Sequence, residues 1–353
     1  MPDMIPRYNF LATGIGSVPF LDVESACSEI LEKFPLMPFW PQFVRRSYLE
    51  DMSVQYSEGL PLLEISKEQR SIRISEDVET ESEMTRFYER FLEKDIDYFA
   101  ISREFAPGLY GLIDLIRQGK GPDGPFIKGQ TVGPVTFAAG IMDDTGKPIL
   151  YNDDLREAMA NGLAIKALWQ AEILGQSGRK PVIFLDEPYL SGFGSAFSVI
   201  QRHEVIAILK TVINYLKENS NAFVGIHCCG NTDWSMLIEA GPDIINFDAY
   251  AYMEHFLLYS DSIIRFIERG GSTAWGIVPT SGFEEGISLE GLVSKMDSGV
   301  TSIYKWGVSP EILAERSILT PACGMGGMET KAAKTAMNML TWLSANYRQT
   351  SDK

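Results

Sequence analysis

The feature that most limits the fold of this chain is the alternation of short apolar runs with longer stretches of helical pattern. Such alternation is typical of a parallel sheet that is covered by helices. Eight runs are predicted as strands: Leu11–Ile15, Leu60–Ile65, Phe126–Gly129, Val182–Leu185, Phe223–Ile226, Ile244–Phe247, Thr273–Ile277 and Ile318–Leu319. Helices are predicted between the later runs, at Asp153–Leu174, Ser198–Lys217, Met253–Glu268 and Ser288–Trp306. Because eight parallel strands close into a barrel, we expect a single (β/α)8 barrel.

The stretch Ser71–Ser102 interrupts this alternation with two further β-like pieces, SIRIS and DYFAIS. We interpret it as an excursion off the barrel between strands two and three, although DYFAIS could instead be a barrel strand. No internal repeat, low-complexity tract or Pro/Gly/Ser-rich linker divides the sequence. One domain over residues 1–353 is therefore expected.

Composition and charge exclude several classes of protein. The net charge is -16 and no cluster of Lys and Arg stands out, which argues against nucleic-acid binding. The acidity either keeps the protein in solution or suits a basic partner. No apolar run reaches the roughly 18 residues of a membrane span, and the segment MPDMIPRYNF lacks the basic and apolar regions of a signal peptide. A cytoplasmic location without membrane contact is expected by default.

Several predicted strands end in polar or small residues, as loop starts commonly do. In a (β/α)8 barrel, however, the active site lies at the C-terminal strand ends, so all of these endings together fit a catalytic rim better. The endings are Gly14-Ile15-Gly16-Ser17, Gly129-Gln130-Thr131, Asp186-Glu187-Pro188, His227-Cys228-Cys229-Gly230, Asp248 and Pro321-Ala322-Cys323-Gly324.

One group of these endings has the donor atoms of a zinc site. In VGIHCCGN, His227 and Cys229 are two residues apart and project to the same side of a strand, while Cys228 points away. Cys323 ends the last strand run, and a closed barrel can bring both strand ends to one pocket. Zn²⁺ prefers such a mixture of nitrogen and sulfur donors, and Asp248 could supply an oxygen ligand.

The other cysteines and histidines have ordinary explanations. The sequence has four cysteines, too few for a disulfide framework in a chain of this length. Cys228 and Cys27 are expected to pack as small hydrophobes, which is also the usual alternative for any buried cysteine. His203 and His255 lie in predicted helices and are expected to be surface or packing residues.

A zinc site with three protein ligands keeps one position open, which is typical of catalytic rather than structural zinc. Zinc deprotonates a thiol that enters this position, although the free pKa of a thiol is about 8.5. Two cysteine ligands also weaken the metal as a Lewis acid, so the bound thiolate stays nucleophilic. This ligand set favours alkyl transfer to sulfur over hydrolysis.

The zinc motifs resemble those of the C-terminal catalytic barrel of cobalamin-independent methionine synthase. Its superfamily also contains methylcobalamin:coenzyme M methyltransferases and uroporphyrinogen decarboxylase. That synthase holds zinc with H-x-C, a downstream acidic residue and the cysteine of a C-G motif. The resemblance implies that His227, Cys229, Asp248 and Cys323 hold Zn²⁺ here.

Further motifs of this sequence resemble the substrate-binding segments of the same family. ATGIGSVPF is similar to the I-G-S loop that holds the carboxylate of homocysteine, which implies this role for Ile15 and Ser17. FLDEPYL is similar to the D-E-P strand end, where Asp186 would bind the substrate amine, and KGQTVGPVTF is similar to the T-G-P segment. A further acidic contact falls on either Glu58 or Glu64.

Two departures from the family pattern determine the expected methyl donor. The chain has no room for the N-terminal half of the synthase, and AWGIVPTSGF lacks the histidine that handles a proton after strand seven. The resemblance therefore implies a short zinc-dependent methyltransferase that makes methionine from homocysteine and a transient methylcorrinoid protein partner. The alternatives are a coenzyme M methyltransferase and a non-catalytic zinc scaffold that docks a corrinoid protein.

Overall fold

The computed structural model describes residues 5–68, 70–75, 79–193, 200–283 and 286–351. The strands, numbered β1 to β9, are Leu11–Ala12, Leu63–Ser66, Ser71–Ile74, Phe126–Val132, Lys180–Asp186, Phe223–Cys228, Ile244–Phe247, Ser272–Val278 and Ser317–Pro321. The α-helices, numbered α1 to α13, are Val23–Lys33, Val54–Ser57, Thr80–Leu92, Pro107–Arg117, Pro134–Gly140, Asp153–Gly175, Arg202–Asn219, Trp234–Glu239, Ala249–Leu257, Ser260–Glu268, Leu289–Lys305, Pro310–Glu315 and Thr330–Ser351. Short 3-10 helices cover Tyr48–Glu50, Ile149–Tyr151 and Pro188–Leu190.

Seven strands form one sheet in the order β1-β9-β8-β7-β6-β5-β4. Every neighbouring pair in this sheet is parallel, so each strand is reached by a crossover that carries helices. The long strands β4 and β8 are buried along their whole length, as expected for a sheet with both faces covered.

An irregular segment, residues 36–42, fills the gap between β1 and β4. Phe39 forms a parallel bridge with Lys128 of β4, and Gln42 forms one with Ser17, just after β1. Two backbone hydrogen bonds of 2.8 and 3.2 Å join the segment to Lys128. The segment therefore takes the position of the second strand, and the predicted (β/α)8 barrel is confirmed.

The predicted second strand, Leu60–Ile65, is wrong. Leu63–Ser66 instead pairs antiparallel with Ser71–Ile74 in a separate two-stranded sheet within the excursion between barrel strands two and three. The four residues of Leu63–Ser66 are only partly buried, unlike a barrel strand. DYFAIS forms no strand in the described part of the chain, so its alternative assignment is also wrong.

The predicted helices are present with shifted ends. Asp153–Leu174 matches α6 and Ser288–Trp306 matches α11, whereas Met253–Glu268 covers most of two helices, α9 and α10. The predicted helix Ser198–Lys217 matches α7 from Arg202, and its first two residues lie outside the described part of the chain. None of the described helices is both long enough and apolar enough to span a membrane.

The inward-facing side chains of the barrel change from apolar to polar along the strands. At the N-terminal end, one buried cluster consists of Tyr8, Leu11, Met37, Phe126, Val182, Phe184, Ile244, Ala274 and Ile318. Two residues after Phe126, Phe184 and Ile244, at positions of the same parity, the buried side chains are instead polar: Lys128, Asp186 and Asn246. The barrel is thus filled at one end and has a polar lining toward the other, where a site can form.

Candidate metal centre

Three of the predicted metal ligands come together at the C-terminal rim of the barrel. One donor atom from each of His227, Cys229 and Cys323 lies within 4.8 Å of the other two. His227 is near the end of β6 and Cys229 follows this strand directly, whereas Cys323 is two residues beyond β9. His227 is buried, whereas Cys229 and Cys323 are each partly exposed.

Strand parity separates Cys228 from this group, as the sequence predicts. Its side chain is fully buried, with the sulfur 3.6 Å from the hydroxyl of Ser191 and 3.7 Å from the carbonyl oxygen of Gly230. Burial raises the pKa of the Cys228 thiol to about 12. A neutral, packed thiol is a poor metal ligand, since metals bind the thiolate.

Hydrogen bonds within the group favour ionisation of one cysteine. The hydrogen bonds from Cys323 and His227 lower the pKa of Cys229 to about 4, against the opposing effect of burial. The Cys229 thiolate in turn raises the pKa of Cys323, with burial acting in the same direction. Burial alone would lower the pKa of His227, but its hydrogen bond to Cys229 and the charge of Asp186 raise it overall. A divalent cation would displace the protons that these groups share.

Asp248 is not part of this group in the described structure. Its carboxylate caps the N-terminus of α9 and accepts a hydrogen bond of 2.8 Å from the backbone N–H of Ala251. Burial raises the pKa of Asp248 in spite of this hydrogen bond. Its role as a metal ligand stays a prediction.

Asp186 lies beside the group, at the end of β5 and directly opposite His227 in the strand pairing. It is 8% exposed, and its Oδ1 atom is buried without a hydrogen-bond partner among the described residues. Burial raises the pKa of Asp186 to about 6, although the charges of His227 and Lys128 act in the opposite direction. A buried carboxylate oxygen without a partner is a candidate acceptor for a donor group on a ligand.

Ser17 contacts the loop that follows Cys323. Its carbonyl oxygen accepts a hydrogen bond of 2.9 Å from the N–H of Met325, and its hydroxyl accepts one of 3.3 Å from the N–H of Gly326. Arg45 fixes the same loop through hydrogen bonds to the carbonyl oxygens of Gly326 and Gly327, both 3.0 Å long. These bonds hold the loop beside Cys323; substrate binding by Ser17 stays a prediction.

Ile15 and the two acidic alternatives are also engaged by protein groups. The carbonyl oxygen of Ile15 accepts a hydrogen bond from the ammonium group of Lys128. Glu58 accepts a hydrogen bond of 2.7 Å from the N–H of Ser102, and Glu64 forms a 3.0 Å ion pair with Arg73. Glu64 thus lies on β2 of the two-stranded sheet outside the barrel, opposite its ion-pair partner Arg73 on β3.

Two buried charged residues of the rim were not singled out from the sequence. Lys128 is fully buried, which lowers its pKa to about 8 in spite of the charge of Asp186. Glu187 is fully buried, which raises its pKa to about 7; it accepts hydrogen bonds of 2.9 and 2.8 Å from the N–H groups of Val135 and Thr136. Through these hydrogen bonds Glu187 connects the end of β5 to the start of α5. Lys128 has the same strand parity as Phe126, so the sequence alone would have placed its side chain inside the barrel.

We expect Gly324→Ala to lower the affinity of the site for metal on the order of tenfold. A Cβ atom at Gly324 would lie 2.2 Å from the hydroxyl oxygen of Ser17, so either this hydroxyl must give up its hydrogen bond to the loop at Gly326 or the residue next to Cys323 must shift. The matched control is Gly327→Ala in the same loop, where a Cβ atom meets no atom within 4 Å. Competition with a chromophoric zinc chelator measures both affinities, and equal values for the two variants would contradict the prediction.

Comparisons with known proteins give fold similarity only. No family model and no curated protein matches the chain. The GH113 beta-mannanase AaManA from Alicyclobacillus acidocaldarius is 10% identical, covers 98% of this chain and 99% of its own, and has a TM-score of 0.43. A second GH113 beta-1,4-mannanase is 12% identical over 68% of this chain and 79% of its own, with a TM-score of 0.37. The 3-keto-D-glucoside 4-epimerase YcjR from E. coli is 10% identical over 77% of this chain and 97% of its own, with a TM-score of 0.39.

These neighbours correct the family prediction. No family model and no curated methionine synthase matches the chain, and the solved structures that it resembles are mannanases and a sugar epimerase, so the predicted membership in the methionine synthase family is wrong. The predicted methyl transfer from a methylcorrinoid to homocysteine is wrong as well, together with its coenzyme M and corrinoid-scaffold alternatives. At this identity and TM-score the neighbours carry no argument about what this chain acts on.

Proposed function

We propose that this chain is a zinc-dependent enzyme whose substrate completes the metal coordination through a thiol sulfur. The observation that carries the proposal is the convergence of one imidazole and two thiol groups within 4.8 Å, from His227, Cys229 and Cys323. The Nε2 atom of His227 is buried and meets no nitrogen or oxygen partner among the described residues; it faces the Cys229 sulfur, with which it shares a proton that a metal would replace. This donor set fits zinc, which binds nitrogen and sulfur in tetrahedral sites.

The position of the group supports a catalytic rather than a structural role. The three residues lie at the C-terminal strand ends, where (β/α)8 barrels carry their active sites. Three protein ligands leave a fourth position for substrate. Bound zinc would supply a lowered pKa for a thiol at this position, and two cysteine ligands match such a soft donor.

Asp186 supplies the second element of the proposed binding site. Its unpartnered Oδ1 atom is suited to accept a hydrogen bond from a cationic or N–H group on the substrate. The neighbouring charges of His227 and Lys128 favour the ionised form of the carboxylate. We therefore propose that the substrate is a small thiol that also carries an amine.

The experiment uses the purified full chain, its metal content and its Co²⁺-substituted form. We expect about one zinc per chain. Cysteamine, which has a thiol and an amine, is expected to increase the sulfur-to-cobalt charge-transfer absorption, whereas ethanolamine, which has no sulfur, should leave it unchanged. 2-Mercaptoethanol should bind more weakly than cysteamine, because it lacks the ammonium group that would donate a hydrogen bond to Asp186.

The matched variant is Asp186→Asn, which keeps the size of the side chain and removes its charge. It should retain the metal and lose most of the preference for cysteamine, an effect on the order of 2 kcal/mol for a desolvated charge pair. A chain that binds no zinc or cobalt, or whose cobalt spectrum is indifferent to thiols, would overturn the proposal. An unchanged preference in Asp186→Asn would remove only this residue from the substrate site.

A further inference from the structure

We propose that Asn246 is a positioning residue that fixes the tautomer and the ring orientation of His227, so that Nε2 faces the metal. The inference rests on the proposed metal site. Asn246 lies on β7 directly opposite His227 on β6, and both side chains are buried inside the barrel. The Nδ1 atom of His227 is 2.5 Å from the Oδ1 atom of Asn246.

The surroundings of Asn246 determine which end of its amide faces His227. Its Nδ2 atom lies 2.9 Å from the carbonyl oxygen of Ala274 and 2.8 Å from the hydroxyl oxygen of Thr320. Because a carbonyl oxygen only accepts hydrogen bonds, the NH₂ group must be the end that faces Ala274. The oxygen of the amide then faces His227, so Nδ1 must carry the proton and donate it.

This arrangement leaves Nε2 of the neutral imidazole without a proton, with its lone pair available to a metal. The opposite tautomer would place two buried acceptor atoms, Nδ1 and Oδ1, against each other. A flip of the imidazole ring would break the same hydrogen bond. Whenever its imidazole is neutral, His227 is therefore restricted by Asn246 to one tautomer and one ring orientation, as partners of metal-binding histidines commonly ensure.

Asn246 also links the strand that carries His227 to the strand that leads to Cys323. Ala274 belongs to β8 and Thr320 to β9, the strand that leads to Cys323. The amide therefore contacts groups from three neighbouring strands, and its hydrogen bonds join the strand of His227 to that of Cys323. A shift of β9 relative to β6 would break at least one of these bonds, so the amide helps set the spacing between the ligands.

The first test reads the tautomer of His227 without any metal. The chain has three histidines, so long-range ¹⁵N–¹H correlation spectra of metal-free protein labelled with [¹⁵N]histidine are simple, and His227→Gln assigns the signal. At alkaline pH, where the imidazole is neutral, we expect a single Nδ1–H tautomer in the wild type. Asn246→Leu should give a mixture, whereas Asn246→Asp keeps an acceptor at the same place and should retain the Nδ1–H tautomer.

The second test measures the affinity for Zn²⁺ and Co²⁺ by competition with a chelator. Asn246→Leu should lower both affinities by about 10- to 100-fold, while the charge-transfer absorption at cobalt saturation still reports two thiolates. The control is Gln170→Leu, which also removes a fully buried amide. The Gln170 amide accepts a 3.1 Å hydrogen bond from Trp40, which is not a proposed metal ligand. The Gln170 variant therefore tests the loss of a buried amide alone. It should lower the melting temperature without changing metal affinity.

The outcomes separate this inference from the proposed function. A wild-type chain that binds neither metal would overturn the proposed function. The tautomer spectra of the metal-free protein would then still test whether Asn246 orients His227. Wild-type metal affinity together with an unchanged tautomer in Asn246→Leu would overturn the inference and leave the metal site intact. If Asn246→Leu does not fold, Thr320→Val, which removes one partner of the amide, should still lower metal affinity severalfold, and an unchanged affinity there overturns the inference.

Discussion

Cys229→Ser and Cys323→Ser are each expected to remove the bound metal, whereas Cys228→Ser is expected to keep it. Each of the first two variants replaces a thiolate with a neutral hydroxyl, which is a much weaker zinc ligand. The whole binding free energy of a zinc site with four ligands is about 10–16 kcal/mol, so the loss of one ligand should lower affinity on the order of 10²- to 10³-fold. Cys228 points away from the site into the core, so its variant should lose stability only.

Zinc content after dialysis against a metal buffer, determined by mass spectrometry, measures this effect. Cys27→Ser is a second control, because the Cys27 thiol is fully buried in α1 and donates a hydrogen bond of 3.5 Å to the carbonyl oxygen of Gly108. Melting curves of all four variants separate loss of metal from loss of fold. Zinc that is lost in Cys228→Ser and kept in Cys229→Ser would show that the ligand set is assigned wrongly.

The sequence was sufficient for most of the fold, and the error at strand two has a physical cause. Long apolar runs with both faces buried, such as β5 and β8, are recognisable because a barrel covers them on both sides. Residues 36–42 contain two prolines, Pro38 and Pro41, which lack the N–H group that a central strand contributes. The apolar run Leu60–Ile65 was therefore the stronger pattern, although it leads into a strand outside the barrel.

Strand parity was the most informative signal for the site. It separates His227 from Cys228, and the same rule places Asn246 on the inward face of β7, two residues after Ile244 of the inner apolar cluster. No motif marks Asn246, because a side chain that only supports a ligand has no sequence pattern of its own. The contact between Ser17 and Gly326 joins residues 309 positions apart, so no local pattern reports it.

The error in the family assignment has a different origin. Short motifs such as H-x-C and C-G describe what a strand end must offer to a soft metal ion, and any barrel with such a centre can carry them. They contain little information about the substrate, which contacts other side chains. The residues therefore support a metal site at His227, Cys229 and Cys323, whereas the activity of the family does not follow from them.

The last prediction concerns Lys166, which is fully buried in α6 far along the chain from the proposed ligands. Its ammonium group donates a hydrogen bond of 3.1 Å to the carbonyl oxygen of Phe99. Burial lowers the pKa of Lys166 to about 7, although the charge of Glu58 acts in the opposite direction. We expect Lys166→Met to increase the free energy of unfolding at pH 7 by roughly 1–4 kcal/mol, since a buried charge is replaced by an apolar chain of similar length.

The gain should depend on pH in a defined direction. An unfolded lysine has a pKa of about 10.4, so between about pH 7 and pH 10 the unfolded chain holds a proton that folded Lys166 has lost. The free energy of unfolding of the wild type therefore rises with pH across this window, and below it the full cost of the buried charge remains. The advantage of Lys166→Met should be largest near pH 7 and shrink as the pH approaches 10.

Urea unfolding of the wild type and of Lys166→Met, at intervals between pH 7 and pH 10, measures how the difference in their free energies of unfolding decreases. Lys210→Met in α7 is the matched control, because Lys210 is exposed and its replacement should shift the unfolding curve by a nearly constant amount. The effect of the hydrogen bond to Phe99 on the lysine charge is already contained in the folded pKa of Lys166, so loss of this bond offsets the difference curve without adding a slope of its own. A difference curve for Lys166→Met that is flat, or that rises toward pH 10, would show that burial does not hold this lysine neutral in the folded protein.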